Sequence, residues 1–238
     1  MNVVISQPFF FPWVGMLEQV RLADVFVHYA DVQFSKGSFT NRVQVKTANG
    51  VIWMTVPLEH VTLGQKIAEV GIDNRRNWQR QHLETLKQAY ARAPFRADML
   101  ALVEAVYAEK PATIGALSER SLMALCEYFG LDRGRRFLHS DGIGADSASS
   151  RRVLAIVQAL QGDRYITGWG ARNYLEHELF EQAGIRVEYM NYRRLPYPQL
   201  HGEFTPFVSA LDLVANTGSD GRRYIASETI YWKDFEPS

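Results

Sequence analysis

The side chains with the greatest chemical capacity are concentrated in one stretch, ADVQFSKGSFTNRVQVK, which follows a predicted buried strand. Asp31 can act as a base or bind a metal or an amine, whereas Lys36 and Arg42 can neutralise a phosphate or carboxylate. Loops at the carboxyl ends of strands commonly carry catalytic groups. We therefore predict catalytic roles for these three residues and substrate contacts for Gln33 and Asn41. The alternative is an ion-paired surface hairpin in which Asn41 serves the turn.

Two further loops are predicted to line a binding site. The segment QPFFFPWVG contains more aromatic surface than a solvent loop should expose, so it either plugs the core or lines a ligand pocket. Trp13 is its largest ring, and the Gln7 amide suits a carboxamide, a carboxylate, a nucleobase edge or the backbone. The segment RYITGWGARNYL places Gly168 in a turn between a predicted strand and helix, which either cradles an anion or is a simple tight turn.

A fourth group of polar residues lies in the later segment YPQLHGEFTPFVSALDLVANTG. Tyr197 and Gln199 are predicted to contact substrate. Asp212 stands between two leucines of a short apolar helix, so it either faces a polar site or is a solvent-facing acid or a cap. His201 and Glu203 have the chemistry of an acid and base pair, but their spacing is weak evidence for one.

Hydrophobic periodicity predicts an α/β fold. The first thirty residues have the pattern of strand, helix and strand, and a second βαβ unit follows from residue 164, with one helix over ARNYLEHELFEQA. The Asn49-Gly50 dipeptide predicts a β-hairpin. The pattern from 75 to 130 predicts an inserted helical block or cap. We expect one domain, 1–238, with a Rossmann-like, mostly parallel sheet.

Bulk composition restricts the class of protein. Of 238 residues, 47% are hydrophobic, and 26 basic residues balance 26 acidic ones, so bulk charge predicts no polyanion partner, whereas a local basic cluster remains compatible with one. The single cysteine, Cys126, falls on the apolar face of a predicted helix and is predicted to be a core residue. No apolar run approaches the length of a membrane span. We expect a cytoplasmic protein with no membrane insertion.

Several catalytic signatures are absent from the sequence. It contains no GxSxG, HExxH or CxxC motif and no Walker or kinase signature, which argues against serine hydrolases, zincins and P-loop enzymes. The six histidines are dispersed and predict no metal site.

Four motifs, in this order, resemble the WbqC-like protein family along nearly the whole chain: QPFFFPWVG, ADVQFSKGSFTNRVQVKT, YITGWGARNYL and YPQLHGEFTPFVSALDLVANTG. That family occurs in bacterial O-antigen and other surface-polysaccharide gene clusters, where a glycine transferase role has been proposed. Many relatives carry two adjacent acids where this chain has Ala30-Asp31, so the resemblance does not imply a two-carboxylate site here. The positions to which the resemblance points are Gln7, Pro8, Pro12, Gly15, Asp31, Gln33, Ser35, Lys36, Asn41, Arg42, Gly168, Tyr174, Pro198, Gln199, Ser209, Asp212 and Asn216.

The first βαβ unit also resembles, more loosely, the opening of HUP-type nucleotide-binding enzymes. Those enzymes use a histidine in the corresponding loop to stabilise phosphate, and QPFFFPWVG contains none. Likeness of fold alone does not carry function.

Together the residues and the resemblance predict a transferase that attaches an acyl or aminoacyl group, glycyl among the candidates, to an amino group of a sugar or related metabolite. Its substrate would be a small molecule such as an amino sugar or amino acid. If the carboxylate is activated in the same site, ATP and Mg²⁺ are needed; otherwise the donor arrives bound to tRNA or to another carrier. Two alternatives stay open: an amidase or peptidase-type hydrolase, and a noncatalytic nucleotide- or metabolite-binding component of an assembly complex. The sequence does not indicate an oligomeric state.

Overall fold

The structure is a computed structural model, and it describes residues 1–144 and 147–234. The loop predicted between 140 and 150 therefore includes two residues, 145–146, outside the described ranges. Within those ranges, every helix is too short or too polar to span a bilayer. The helices and strands are β1 (Asn2–Ser6), α1 (Val14–Leu22), β2 (Val25–His28), β3 (Arg42–Thr47), β4 (Gly50–Thr55), α2 (Trp78–Ala89), α3 (Arg96–Ala108), α4 (Ile114–Phe129), β5 (Arg136–His139), α5 (Ser149–Ala159), β6 (Arg164–Thr167), α6 (His177–Gln182), β7 (Arg186–Asn191), α7 (Leu211–Thr217) and β8 (Glu228–Tyr231).

Six of the described strands form one sheet in the order β5-β2-β1-β6-β7-β8. The first five run parallel, and β8 pairs antiparallel with β7 at the edge. From β1 the chain builds outward through β2 and β5, then crosses back to add β6 and β7 on the other side. The order therefore reverses between β1 and β6, where open α/β sheets bind ligands. This topology confirms the predicted Rossmann-like α/β fold.

Both faces of the sheet are buried, because alternate residues of β1 enter different hydrophobic clusters. Val4 belongs to the larger cluster, which includes α1 and the helices between β4 and β5. Val3 and Ile5 belong to the smaller cluster, which includes residues of α5 and α6. The continuous apolar run of β1 is therefore what a central parallel strand requires.

Helices α2, α3 and α4 form the predicted helical block. Val103 of α3 and Leu125 of α4 lie in the same hydrophobic cluster as Val4 of the sheet, and the buried Cys126 is a member of it. Helix α4 ends at Gly130, whose φ of 63° is the left-handed conformation expected of a helix-ending glycine. One cluster thus joins the block to the sheet, while the assignment of a single domain stays a prediction.

The predicted hairpin is formed by β3 and β4, which pair antiparallel on either side of the Asn49-Gly50 turn. Gly50 has a φ of 103°, a conformation that side-chain-bearing residues rarely adopt. Val43 and Val45 of β3 face the core, and the alternate residues Arg42 and Trp53 lie on the opposite face of the hairpin.

The single helix predicted over ARNYLEHELFEQA is wrong. The chain instead forms a 3-10 turn, Trp169–Asn173, and then the short helix α6. Ser150 at the start of α5 donates its hydroxyl to the Tyr174 carbonyl at 3.4 Å and accepts from the Glu176 N–H at 3.0 Å. These contacts, together with the burial of Leu175, replace the backbone bonds of a continuous helix. A residue from a distant helix therefore overrides the local pattern.

Glu18 on α1 attaches the segment before β8 to the sheet. Its carboxylate, 1% exposed, accepts hydrogen bonds from the backbone N–H groups of Ala226 at 3.0 Å and Ser227 at 2.6 Å. Burial raises the pKa of Glu18, and these bonds with the charge of Arg21 oppose that rise. An acid in an apolar helix is thus explained by two backbone donors that need an acceptor.

Replacing this acceptor should destabilise the fold. Glu18→Gln removes the charge and places an N–H₂ group near one of the two backbone donors, so we expect a loss of about 2 kcal/mol, since a hydrogen bond to a charged group contributes roughly 1.5–3 kcal/mol. The free energy of unfolding in urea would measure it. Glu84→Gln on the exposed face of α2 is the matched control and should change stability by less than about 0.5 kcal/mol; equal effects of the two substitutions would contradict the role of Glu18.

Candidate functional site

A cavity of about 540 Å³ opens where the carboxyl ends of β1 and β6 diverge. Ser6 and Gln7 form its floor at the end of β1, and Thr167 and Gly168 form it at the end of β6. This is the point at which the strand order reverses. The volume falls in the range of small-molecule sites, so the cavity is the candidate functional site.

Aromatic side chains form much of the cavity wall. Two of them are fixed by hydrogen bonds: the Trp169 indole N–H donates to the Met190 carbonyl at 2.7 Å, and the Tyr192 hydroxyl donates to the Pro206 carbonyl at 3.0 Å. Rings held in this way offer flat faces to a ring of a ligand. The aromatic lining residues are Phe9, Trp13, Tyr29, Tyr165, Trp169, Tyr174, Tyr192 and Phe207.

The amides of Gln7 and Gln19 and the guanidinium of Arg194 line the cavity without a hydrogen-bonding or ion-pair partner among the described residues. Arg194 lies 5.2 Å from the centre of the Phe207 ring. None of the described lining residues is an acid, a histidine or a lysine. The cavity therefore offers amide groups and one positive charge, which suit an anionic or carbonyl-bearing ligand.

The loop QPFFFPWVG contributes both to the hydrophobic core and to the cavity wall. Phe10 and Phe11 are fully buried in the larger hydrophobic cluster, whereas Phe9 and Trp13 line the cavity. A Cβ at Gly15 would lie 2.4 Å from the indole nitrogen of Trp13, so glycine at the start of α1 leaves the space that the ring occupies. Neighbouring residues of one loop thus anchor it in the core and form part of the cavity wall.

Asp31 lies beside the cavity wall and is not one of its lining residues. Its carboxylate pairs with Arg152 and accepts a hydrogen bond from Ser140 at 2.5 Å. The Arg152 guanidinium lies 5.1 Å from the ring centre of Tyr29, which does line the cavity. Burial disfavours the ionised form of Asp31, but the bonds from Ser140 and Arg152 and the charge of Arg152 outweigh it and hold its pKa below the usual range.

The other residues predicted from the same stretch lie towards the hairpin and do not line the cavity. Gln33 and Lys36 are exposed. Asn41 donates its side-chain amide to a backbone carbonyl at 3.0 Å. The Arg42 guanidinium lies 4.2 Å from the centre of the Trp53 ring. The structure therefore separates these side chains from Gln7, Trp13 and Gly168, which it brings together.

Tyr197, Gln199 and Asp212 meet in a second polar cluster, inside the protein, with Lys46 and Tyr90. The Gln199 amide accepts from the Lys46 ammonium at 3.1 Å and donates to the Tyr197 hydroxyl at 3.0 Å. Lys46 is 4% exposed, and Asp212 and Tyr90 have no exposed surface. We name these five residues the sealed cluster.

The Asp212 carboxylate is the least satisfied group of the sealed cluster. Neither oxygen has a hydrogen bond of good geometry to a described residue, although Tyr197, Tyr90 and Lys46 lie near enough to favour its ionised form. Burial outweighs these neighbours and raises the pKa of Asp212 to about 6. Asn216, another predicted contact, donates its side chain to the Asp212 backbone carbonyl at 2.8 Å within α7.

Sequence reasoning did not single out Gln19 for the cavity, Arg152 for Asp31, or Lys46 and Tyr90 for the sealed cluster. For Gln19 the sequence held one signal: it forms, with Glu18, a polar pair within an otherwise apolar stretch of helix. The other contacts join residues that lie far apart along the chain, so spacing offered no signal for them.

The raised pKa of Asp212 makes stability depend on pH. Because the pKa is higher in the folded than in the unfolded chain, the contribution of this group is present below about pH 4 and is lost as the pH rises through about 6. Asp212→Asn lacks this dependence. From pH 4 to pH 7 the stability of the variant relative to the parent should therefore rise by up to about 3 kcal/mol, at about 1.4 kcal/mol per pKa unit. Urea unfolding of both proteins across this range tests it, and a constant difference would contradict it.

Comparisons with known proteins place these residues in a family context. A family model described as the WbqC-like protein family matches residues 7–224, a range that includes Gln7, Asp31, Arg194 and Asp212. The chain is similar to the uncharacterized protein Rv1507c of Mycobacterium tuberculosis (strain ATCC 25618 / H37Rv), with 31% identity over 227 residues, covering 94% of this chain and 97% of that protein. No solved structure matches the chain.

Proposed function

This chain belongs to the WbqC-like protein family, and on that basis we propose that it is a transferase that attaches an acyl or aminoacyl group, such as glycyl, to an amino group of a sugar or related metabolite. The observation that carries this proposal is the cavity at the ends of β1 and β6, with its aromatic walls and unpartnered Gln7, Gln19 and Arg194. The synthesis of a surface polysaccharide or a specialised metabolite would supply an amino sugar or related amine as the acceptor.

The chemistry of the lining suits transfer from an already activated donor. In this reaction the acceptor amine attacks the carbonyl carbon of an ester, a C–N bond forms and the C–O bond breaks. The amine loses one proton, and the leaving oxygen takes up one. No protein nucleophile is required, and an amide N–H₂ group or a guanidinium stabilises the negative charge that develops on the carbonyl oxygen. Gln7, Gln19 and Arg194 supply such donors.

Activation of a carboxylate within the same cavity would need ATP and Mg²⁺. The described lining residues include no carboxylate to hold the metal ion, and within the described ranges no cluster of three or more His, Cys, Asp or Glu residues is placed to bind one. Arg194 suits a nucleotide phosphate as well as an acyl oxygen. We therefore propose a donor that arrives activated, bound to tRNA or to another carrier.

A ligand-binding assay tests the proposed site. Thermal unfolding of the purified protein should shift upward with AMP, which carries the adenosine and phosphate found at the end of a tRNA, because a ligand that binds the native state raises its apparent stability. A further shift with ATP and an amino acid would instead favour activation of the carboxylate in the cavity. Arg194→Gln keeps the packing of the side chain on Phe207 and removes the charge, so it should lower the affinity for the anionic ligands about tenfold, at roughly 1.5–3 kcal/mol for a charge-assisted hydrogen bond. Arg193→Gln, one residue earlier and outside the lining, is the control. Equal losses in the two variants, or no shift with any of these ligands, would refute the proposal.

The ion pair between Asp31 and Arg152 favours a positioning role for Asp31 over a role as the general base. A carboxylate that Arg152 holds in its ionised form is a weak proton acceptor. In an assay of amide formation, Asp31→Asn should lower kcat/KM by less than about 100-fold, because a true general base contributes about 10²–10⁴-fold. Arg152→Gln should cause a loss of similar size, and the double variant should lose little more. A loss above 100-fold confined to Asp31→Asn would show that Asp31 is the base.

A second candidate function rests on the make-up of the cavity wall, whose described residues include no carboxylate, histidine or lysine. Such a cavity also suits a noncatalytic nucleotide- or metabolite-binding component of an assembly complex. Ligand-induced stabilisation without turnover, together with co-purification with a glycosyltransferase, would favour it over the transferase.

A further inference from the structure

A row of four aromatic rings leads from the cavity onto the surface of the hairpin. Phe9 and Trp13 line the cavity, with ring centres 5.6 Å apart. Phe39 follows, 5.3 Å from Trp13, and Trp53 on β4 lies 5.6 Å beyond Phe39. Trp53 is 42% exposed, which is unusual for so large a ring. We name these four residues the aromatic row.

The exposed end of the aromatic row carries a positive charge. Arg42 lies two residues before Gln44, the register partner of Trp53, and so on the same face of the hairpin; its guanidinium lies 4.2 Å from the centre of the Trp53 ring. Its side chain also donates to the Gly37 carbonyl, which fixes the guanidinium beside the ring. No ion pair joins Arg42 to a carboxylate in the described part of the chain, so its charge is available to an anion.

Backbone contacts hold the aromatic row beside the cavity. Trp13 bridges to Ser209, whose N–H donates to the Gln44 carbonyl at 2.8 Å, and Gln44 is the register partner of Trp53. On the other side, two residues before Ser209, Phe207 lies against Arg194. A ligand that extends out of the cavity therefore meets rings in sequence and an arginine beside an exposed ring at each end.

We propose that the aromatic row is a second subsite, which binds a short single-stranded RNA end while the acyl group at its terminal ribose lies in the cavity. This inference rests on the transferase proposed above, whose ester donor it specifies. Proteins that hold single strands combine stacked aromatic side chains with cationic groups along the backbone path, and both occur here. A neutral sugar chain would use the rings but not the charge of Arg42. The whole chain has no net charge, so the affinity for RNA depends on the aromatic rings of the row and the charge of Arg42 beside them.

Fluorescence anisotropy with a labelled RNA tetranucleotide ending in adenosine tests the proposal. Trp53→Ala should weaken binding at least fivefold, the lower end for loss of one stacked base, whereas Trp53→Phe should restore most of it. Arg42→Gln should reduce the slope of log affinity against log salt by about 0.7, the value for one contact to a single-strand phosphate. Ile52→Ala, on the opposite face of the same strand, should leave binding unchanged and controls for damage to the hairpin.

The same proteins are tested with AMP and with labelled maltotetraose. AMP affinity should be unaffected by Trp53→Ala, because AMP fits within the cavity. The RNA subsite is wrong, and the proposed function stands, if AMP binds and the tetranucleotide binds no more tightly than AMP. The same conclusion follows if Trp53→Ala leaves the affinity for the tetranucleotide unchanged. Binding of maltotetraose that depends on Trp53 would also overturn the inference. If neither AMP nor RNA binds, the inference and the proposed function both fail.

Discussion

The rest of the structure depends on how the loop after β1 satisfies its backbone hydrogen bonds while it runs through the interior. The Phe10 N–H donates to the Phe39 carbonyl at 3.0 Å, and the Phe11 N–H donates to the Ser121 hydroxyl of α4 at 2.8 Å. Ser209 donates its hydroxyl to the Phe11 carbonyl at 2.7 Å. Buried backbone groups must be paired, so the segment before the hairpin, the helical block and the segment before α7 all converge on this loop. The same loop supplies Phe9 and Trp13 to the cavity wall.

The structure contains two polar regions with opposite relations to solvent. In the cavity, Gln7, Gln19 and Arg194 have no hydrogen-bond partner among the described residues and line a space that a ligand can enter. In the sealed cluster, Asp212 lacks well-formed hydrogen bonds and is cut off from water, so burial acts on its proton affinity instead. Polar groups without hydrogen-bond partners are therefore available to a ligand in the cavity, whereas in the sealed cluster they lower stability.

Local features of the sequence predicted local structure well. The strand, helix and strand of the first thirty residues and the Asn49-Gly50 turn were predicted from short-range patterns. The helix at ARNYLEHELFEQA was not, because Ser150 interrupts it from another element. For the candidate site, the sequence suggested Gln7, Trp13 and Gly168 as contacts, and the structure brings them to one cavity. It gave no means to pair Asp31 with Arg152 or to place Lys46 near Asp212, since such pairings follow from tertiary packing alone.

The position of β1 between β2 and β6 has a consequence for how the chain folds. β2 follows β1 after a single helix, but β6 comes only after the hairpin, the helical block, β5 and α5. Pairings between residues so distant in sequence form slowly, because the intervening loop loses entropy before the contact is gained. An intermediate that has assembled only β5, β2 and β1 would have an unpaired edge at β1 and half of a binding site. The cavity at the ends of β1 and β6 therefore requires that β6 has paired with β1.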